Sequence, residues 1–430
     1  CVHGPISILI RKKPVVVPVA QFKTKVGYAQ SATAADRAEI FSMNRTALLR
    51  GYELMANKTG KTTVMIHVDA LRHDYVTPED MPFLHSLASS GISTDLIAPF
   101  GFEPDGAYLT GREPEDYEGG VHFVYSPETS PYGFLRWFPS IMDKLGPYVS
   151  YGFRRFFVEK LIGKFAHTPR QKKQTYVGRI PFNQLPKFDL CEQEYAYEKG
   201  ALNGLTTIYD LLRSSGKTWF FHGAPQYPVG VEPVVQRACK EIDGSYDFIF
   251  LFIADLDIVG HEYGTDSPER RAMARKVDDG LKKIHEHICS QYDAVDFLAF
   301  GDHGMIDVKA GIDVKAALKK LPFKQGRDYT VFLDSTFARF WFHNEEARKP
   351  IAAMLESLQG GTVISDQERD KYSIHWKTRK FGDLIWWVDE GYVVHPDYWH
   401  FRGMKKGMHG YRWEVKDNHA TAVFHSTSKE

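Results

Sequence analysis

Short apolar and aromatic runs, each closed by polar residues or glycine, recur along this chain and read as buried strands. The clearest are Thr62–Asp69, Lys217–His222, Asp247–Asp255 and Val295–Asp302. Helical spacing fills the intervals. Pro82–Ser90 reads as one short helix, and Gly204–Ser214 as another, stopped by Gly216. The strongest helix spans Pro268–Ile288, where Met273, Val277, Leu281, Ile284 and Ile288 form one apolar stripe. Asp266 and Glu269 are expected to form its capping box, with Pro268 in the first turn. Strands alternating with helices predict an α/β fold with a mainly parallel central sheet flanked by helices.

Two stretches break the alternation. Residues 122–199 are read as an inserted cap with a small core of its own. They interleave rings (Phe134, Trp137, Phe138, Tyr148, Tyr151, Phe153, Phe156, Phe157) with the basic stretch Arg170–Lys173, so peripheral membrane contact is the alternative. Residues 326–400 are read as a small α+β insertion, with strands at Thr330–Leu333, Ala338–Phe342 and Leu384–Val388 and a helix at Pro350–Leu358. The expected layout is an N-terminal extension over 1–60, a core over 61–325 and a return to that core over 401–430.

Composition narrows the function classes. The chain has 430 residues, 25 % charged, with a formal net charge of zero, so nothing favours duplex nucleic acid. The four cysteines have no metal-type spacing; they are expected to be buried thiols, with a mild preference for a reducing compartment. Ile8–Ile10 and Val15–Val17 are interrupted by Arg11, Lys12 and Lys13 and make no signal-peptide core. No apolar run reaches about 18 residues, so no transmembrane segment is expected, and a cytoplasmic location is the reading. The first residue is Cys rather than Met, so the chain reads as a fragment or a processed form, with Met43 as an alternative start.

The candidate chemistry lies in short acid-and-histidine clusters. Asp69 ends the first strand. Asp257 and His261 are four apart and would share one face of a helical turn. Asp302 and His303 lie between Gly301 and Gly304, which permit a tight turn; His409 lies between Met408 and Gly410. Alone, each strand-end Asp reads as a cap or turn former. Together, three Asp and three His can be divided into two sites of three mixed N/O ligands, as a catalytic pair of divalent cations needs. Active sites of open α/β sheets form beyond the carboxyl ends of the strands, where these acids fall.

These segments resemble the type I phosphodiesterase and nucleotide pyrophosphatase branch of the alkaline phosphatase superfamily. The resemblance is carried by Val68-Asp69-Ala70-Leu71-Arg72 with Thr77-Pro78, by Asp257-Ile258-Val259-Gly260-His261, by Gly301-Asp302-His303-Gly304-Met305 and by Gly407-Met408-His409-Gly410-Tyr411. It implies an alkaline-phosphatase-like fold and two divalent ions. Asp257, His261 and His409 would hold one, and Asp69, Asp302 and His303 the other. Zinc fits the His/Asp set best, with manganese or iron as alternatives. The implied activity is hydrolysis of phosphodiester or pyrophosphate bonds in a small phosphorylated substrate of nucleotide, nucleotide-sugar or phospholipid-headgroup type.

The chain departs from the family at the nucleophile. A Thr or Ser is expected at a helix start after the first strand, yet no hydroxyl or thiol stands between Asp95 and Tyr108. Glu103 and Asp105 flank Pro104 there. Either carboxylate is a candidate nucleophile, general base, extra ligand or helix cap. Thr110 should lie too deep in the helix to attack. The alternatives are another phospho- or sulfo-ester reaction of the superfamily, or a non-catalytic metal-stabilised binding protein. Trp386, Trp387 and Tyr398 would stack on a base or serve as packing.

Overall fold

The computed structural model describes residues 60–103, 105–137, 180–181, 183–400 and 403–428, and the backbone of two short paired strands, Ile6–Ile8 and Val15–Val17. Most of the expected N-terminal extension, and the rings and basic stretch between 138 and 179, lie outside the described residues.

The central sheet has six strands. In chain order they are β1 (Lys61–Val68), β2 (Ile92–Leu96), β5 (Trp219–His222), β6 (Phe248–Ile253), β7 (Ala294–Phe300) and β14 (Ala420–Ser426). Their spatial order is β2-β14-β7-β1-β6-β5. β7, β1, β6 and β5 pair in parallel, while β14 runs against both its neighbours. A strictly alternating strand must bury two different faces. Val64, Ile66 and Val68 of β1 meet α1 (Pro82–Ser90), α4 (Val231–Glu241) and α6 (Pro268–Gln291). Met65 faces the other side, with α2 (Asp105–Thr110) and α3 (Ile208–Ser214). Burying each such side chain is worth about 1.5–3 kcal/mol, so a one-residue slip of β1 would forfeit several of them at once. The same parity puts His67 and then Asp69 on the Met65 face.

Three of the four expected strands end one or two residues short of their limits, leaving Asp69 and Asp302 just past the carboxyl edge, with Asp257 on the helix that follows β6. Two helix starts are corrected. α6 is capped by the Ser267 hydroxyl, which accepts from Arg270 N–H at 3.1 Å, and Asp266 instead pairs with Arg271. Pro268 in the first turn places Ser267, not Asp266, at the cap. α3 starts at Ile208 because Thr207 and Asp210 cap each other reciprocally.

A second sheet, antiparallel, follows: β9 (Tyr329–Leu333), β10 (Phe337–Phe342), β12 (Leu384–Val388) and β11 (Gly361–Val363), in that spatial order. α7 (Arg348–Glu356) packs on it. The pair β3 (Phe123–Tyr125) and β4 (Phe188–Leu190) joins the same core, with the Phe188 ring 5.0 Å from Phe332 and 5.6 Å from Trp341. Phe123, Tyr132, Leu135, Ile180, Leu185, Phe188 and Leu190 thus share one core with this sheet. Trp386, Trp387 and Tyr398 are at most 1 % exposed and serve as packing, unavailable for stacking on a ligand. The expectation of buried thiols is also corrected: Cys239 is exposed on α4, and Cys191 and Cys289 are half-buried. No described helix is long and apolar enough to cross a membrane.

Candidate active site

The carboxyl edge of the central sheet brings all six predicted ligands to one cavity of about 290 Å³, lined also by Phe102, Glu103, His122, Ser335, Trp399, His400 and Met408. Each arrives by a different local route. Asp69 follows β1, its N–H donating to Ile253 O at 2.8 Å. Ala70 next to it has φ 57°, a left-handed conformation costing about 1–3 kcal/mol outside glycine, and its N–H points at Asp302 Oδ1 at 3.3 Å. Asp257 and His261 stand one turn apart on α5 (Asp255–Tyr263), with Nε2 and Oδ1 3.1 Å apart. Asp302 and His303 sit on a turn that glycine alone fits: a Cβ at Gly304 would lie 2.1 Å from Asp417 O, and one at Gly301 2.7 Å from Leu71 O. His409 is held through its neighbour Gly410, whose carbonyl accepts from Thr336 Oγ1 at 3.0 Å and Trp387 Nε1 at 2.9 Å. The second sheet thus fixes a loop of the first.

Ligand atoms of Asp257, His303 and His409 lie within 4.8 Å of one another, as do those of His67, Asp69 and Asp302. His303 stands between the groups: its Nε2 is 3.2 Å from Asp69 Oδ1 and 3.4 Å from Asp302 Oδ2, while its ring stacks on His409 at 3.5 Å. The tautomers follow from the acceptors. His261 Nδ1 lies 2.8 Å from Gly407 O and His303 Nδ1 2.8 Å from Gly304 O. A carbonyl only accepts, so both Nδ1 atoms carry a proton, and in the neutral rings both Nε2 atoms offer a lone pair.

The electrostatics are those of a site built around positive charge. Burial and the neighbouring Asp302 and Asp257 carboxylates push Asp69 up to about 7. Burial opposes a charged His303, but Asp302, Asp69 and Asp257 outweigh it and raise the ring to about 10. Burial and the nearby His303 hold His409 well below its ordinary value. Burial works against the charge on Asp257 and Asp302 too, yet His261 and His303 respectively keep both well below the usual carboxylate range. Asp69 Oδ1 and Asp257 Oδ1 are buried against the Nε2 atoms of His303 and His261, 3.2 and 3.1 Å away, and His409 Nδ1 is buried without a hydrogen-bond partner. No Lys or Arg lines the cavity, among the described residues. Buried N and O atoms around a common space fit divalent cations.

Glu103 and Asp105 part company. Glu103 faces the cavity and its carboxylate touches His122 Nδ1. Asp105 begins α2, accepts from Tyr108 Oη at 2.6 Å and lines an adjoining pocket walled by Tyr195, Tyr209, Phe221 and Phe250. Thr110 is at the far end of α2, its hydroxyl spent on Gly106 O. Sequence reasoning missed four contributors. His67 stands two residues before Asp69 on β1, a spacing that by itself carries no signal. His122, Ser335 and His400 belong to no short motif. Asp397 Oδ2 takes both His400 Nδ1 at 2.7 Å and Ser335 Oγ at 2.8 Å.

The family model for type I phosphodiesterase / nucleotide pyrophosphatase matches residues 190–412, a span holding Asp257, His261, Asp302, His303 and His409. The chain belongs to this family. It is accordingly a phosphodiesterase/pyrophosphatase hydrolase of the alkaline phosphatase superfamily. It is 22 % identical over 342 residues to human ectonucleotide pyrophosphatase/phosphodiesterase family member 7, covering 77 % of this chain and 67 % of that protein. The mouse protein of the same name is 21 % identical over 348 residues, covering 77 % and 70 %. Murine ectonucleotide pyrophosphatase/phosphodiesterase 5 shares the fold, with TM-score 0.57 and 16 % identity over 85 % of this chain and 88 % of that one. An inactive threonine-to-alanine form of that murine protein, in complex with AMP, superposes with TM-score 0.56 and 16 % identity, again over 85 % and 88 %.

Proposed function

We propose that this chain hydrolyses a phosphodiester or pyrophosphate bond in a small phosphorylated substrate, using two divalent cations held in the cavity. The observation that carries the proposal is the meeting of six Asp and His side chains, from two strand ends, a helix and a glycine turn, around one cavity. Asp257, His261 and His409 would hold one cation, and Asp69, Asp302 and His303 the other. Zinc suits this donor set best, with manganese or iron as alternatives. Bound there, the cations would neutralise phosphoryl oxygens and acidify the attacking group. An anionic substrate needs that help, because the cavity lining supplies carboxylates and no Lys or Arg among the described residues.

The rest falls to the chain's own groups. Glu103 stands in the stretch where the family's hydroxyl is expected and, backed by His122, is placed to accept the proton of an attacking water. His400, oriented through Nδ1 by Asp397, is placed to protonate the leaving group. Ser335, the one hydroxyl side chain of the lining, is 2 % exposed and donates to Asp397, which makes it a support for His400. A nucleotide is the favoured substrate class, since the murine relative of the same fold was solved with AMP. The test is elemental analysis of natively purified protein, with hydrolysis of an aryl phosphodiester before and after chelation. About two ions per chain, and activity lost and restored with them, are expected. Turnover that persists in ion-free protein would sink the reading.

A further inference from the structure

His67 is a polar ring at the centre of the sheet, only 3 % exposed. It stands directly opposite Phe252 on β6 and Phe300 on β7 and stacks between them, with centroids 4.6 and 5.2 Å away. A histidine in such a slot is costly unless both nitrogens are used. Nδ1 lies 3.2 Å from Tyr108 Oη, and Tyr108 Oη lies 2.6 Å from Asp105 Oδ1. The phenol has one proton, and the shorter contact to a carboxylate takes it. In the neutral ring His67 Nδ1 is then the donor to Oη, which leaves Nε2 with a lone pair. That atom is buried and faces Asp302 Oδ1 at 3.1 Å. Asp69 Oδ1, equally buried, completes a trio of candidate ligand atoms within 4.8 Å.

We infer that His67 is a further metal ligand, completing the Asp69–Asp302 site in place of the hydroxyl that the chain lacks, with Tyr108 and Asp105 holding its tautomer. The arrangement matches how metal-bound imidazoles are oriented: one nitrogen to the ion, the other N–H to an acceptor backed by a carboxylate. It gives Asp105 a positioning role, distinct from that of Glu103 on the cavity side. It also explains why a histidine interrupts an otherwise apolar strand. The inference rests on the two-cation reading above.

The test is zinc titration of chelator-stripped protein by calorimetry, with elemental analysis after dialysis, for wild type, His67→Phe and Tyr108→Phe. Phenylalanine keeps the stack with Phe252 and Phe300, and circular dichroism reports folding. Wild type should take up two equivalents. His67→Phe should keep one and weaken the other by more than about 100-fold, while Tyr108→Phe weakens the same step by about 10–100-fold. A folded His67→Phe that binds two equivalents at wild-type affinity overturns the inference and leaves the two-cation reading standing. Should His67→Phe not fold, unchanged affinity in Tyr108→Phe has the same force. Wild type that binds no ion overturns both.

Discussion

The two ends of the ligand cluster are held by different physics. At one end, Asp257 and His261 stand on successive turns of α5 and His409 on a turn beside Gly410, their side chains 18 %, 16 % and 9 % exposed. At the other, His67 and Asp302 are 4 % and 5 % exposed, bound to adjacent strands whose register sets their spacing. A helix or loop ligand can be removed while the element stays put. A strand-end ligand shares its buried charge with its neighbours, so removing it disturbs stability as well as binding. Cation binding and folding should therefore be separable at the first end and coupled at the second.

The harshest test of that contrast is Asp302→Asn, since Asp302 touches His67, His303 and the Ala70 N–H together. Phosphodiester hydrolysis should fall by about 10³-fold or more, equal to several kcal/mol of lost charge stabilisation, in steady-state kinetics. His409→Ala should match it in activity, yet leave the melting temperature of chelated protein unchanged; equal destabilisation by both would erase the distinction.

Next in size is the pair of carboxylates around Pro104. Glu103→Gln should lower kcat about 10²–10⁴-fold, the range for general acid–base groups. Asp105→Asn should act through zinc affinity, with a shift of about 10-fold. The reverse ranking would move the proton chemistry to α2.

The third concerns pH and has opposite signs in the two states of the protein. Asp69 is raised to about 7 in the folded chain, so its ionised form opposes folding above the unfolded value near 3.8. The folded state binds more protons across that window, and stability falls as pH rises through it. In chelated protein, Asp69→Asn should therefore melt above wild type at pH 8, with the gap closing toward pH 4. With zinc present the order should invert. A gap independent of pH in chelated protein would refute the carboxylate crowding.

The smallest effect lies on the loop side. Trp387→Phe removes the bond to Gly410 O and should cost about 0.5–1.5 kcal/mol in denaturant unfolding, with zinc stoichiometry intact.

Much of the central layer was legible because short apolar runs closed by polar residues or glycine, and the stripe on α6, are local patterns. The helix caps were read less well: which of Asp266 and Ser267 caps α6 turns on one residue of backbone geometry. The six Asp and His side chains that line the cavity were legible by residue type and glycine flank. His67 was in plain view two residues before Asp69, but a lone histidine in an apolar run has no local signal. Its role emerges only from Phe252, Phe300, Tyr108 and Asp302, which other segments supply. Glu103 and Asp105 could not be separated in sequence, because α2 begins between them and turns one toward the cavity and the other toward Tyr108.

The amino-acid order alone determined an alternating α/β framework, its carboxyl-edge acids and the superfamily they resemble, since periodicity and motif spacing act over a few residues. Folding decided which side chains share a void, that the second sheet anchors the His409 loop, and that a buried imidazole joins the acids. Those outcomes depend on desolvation and register between segments hundreds of positions apart, and no local pattern carries that information.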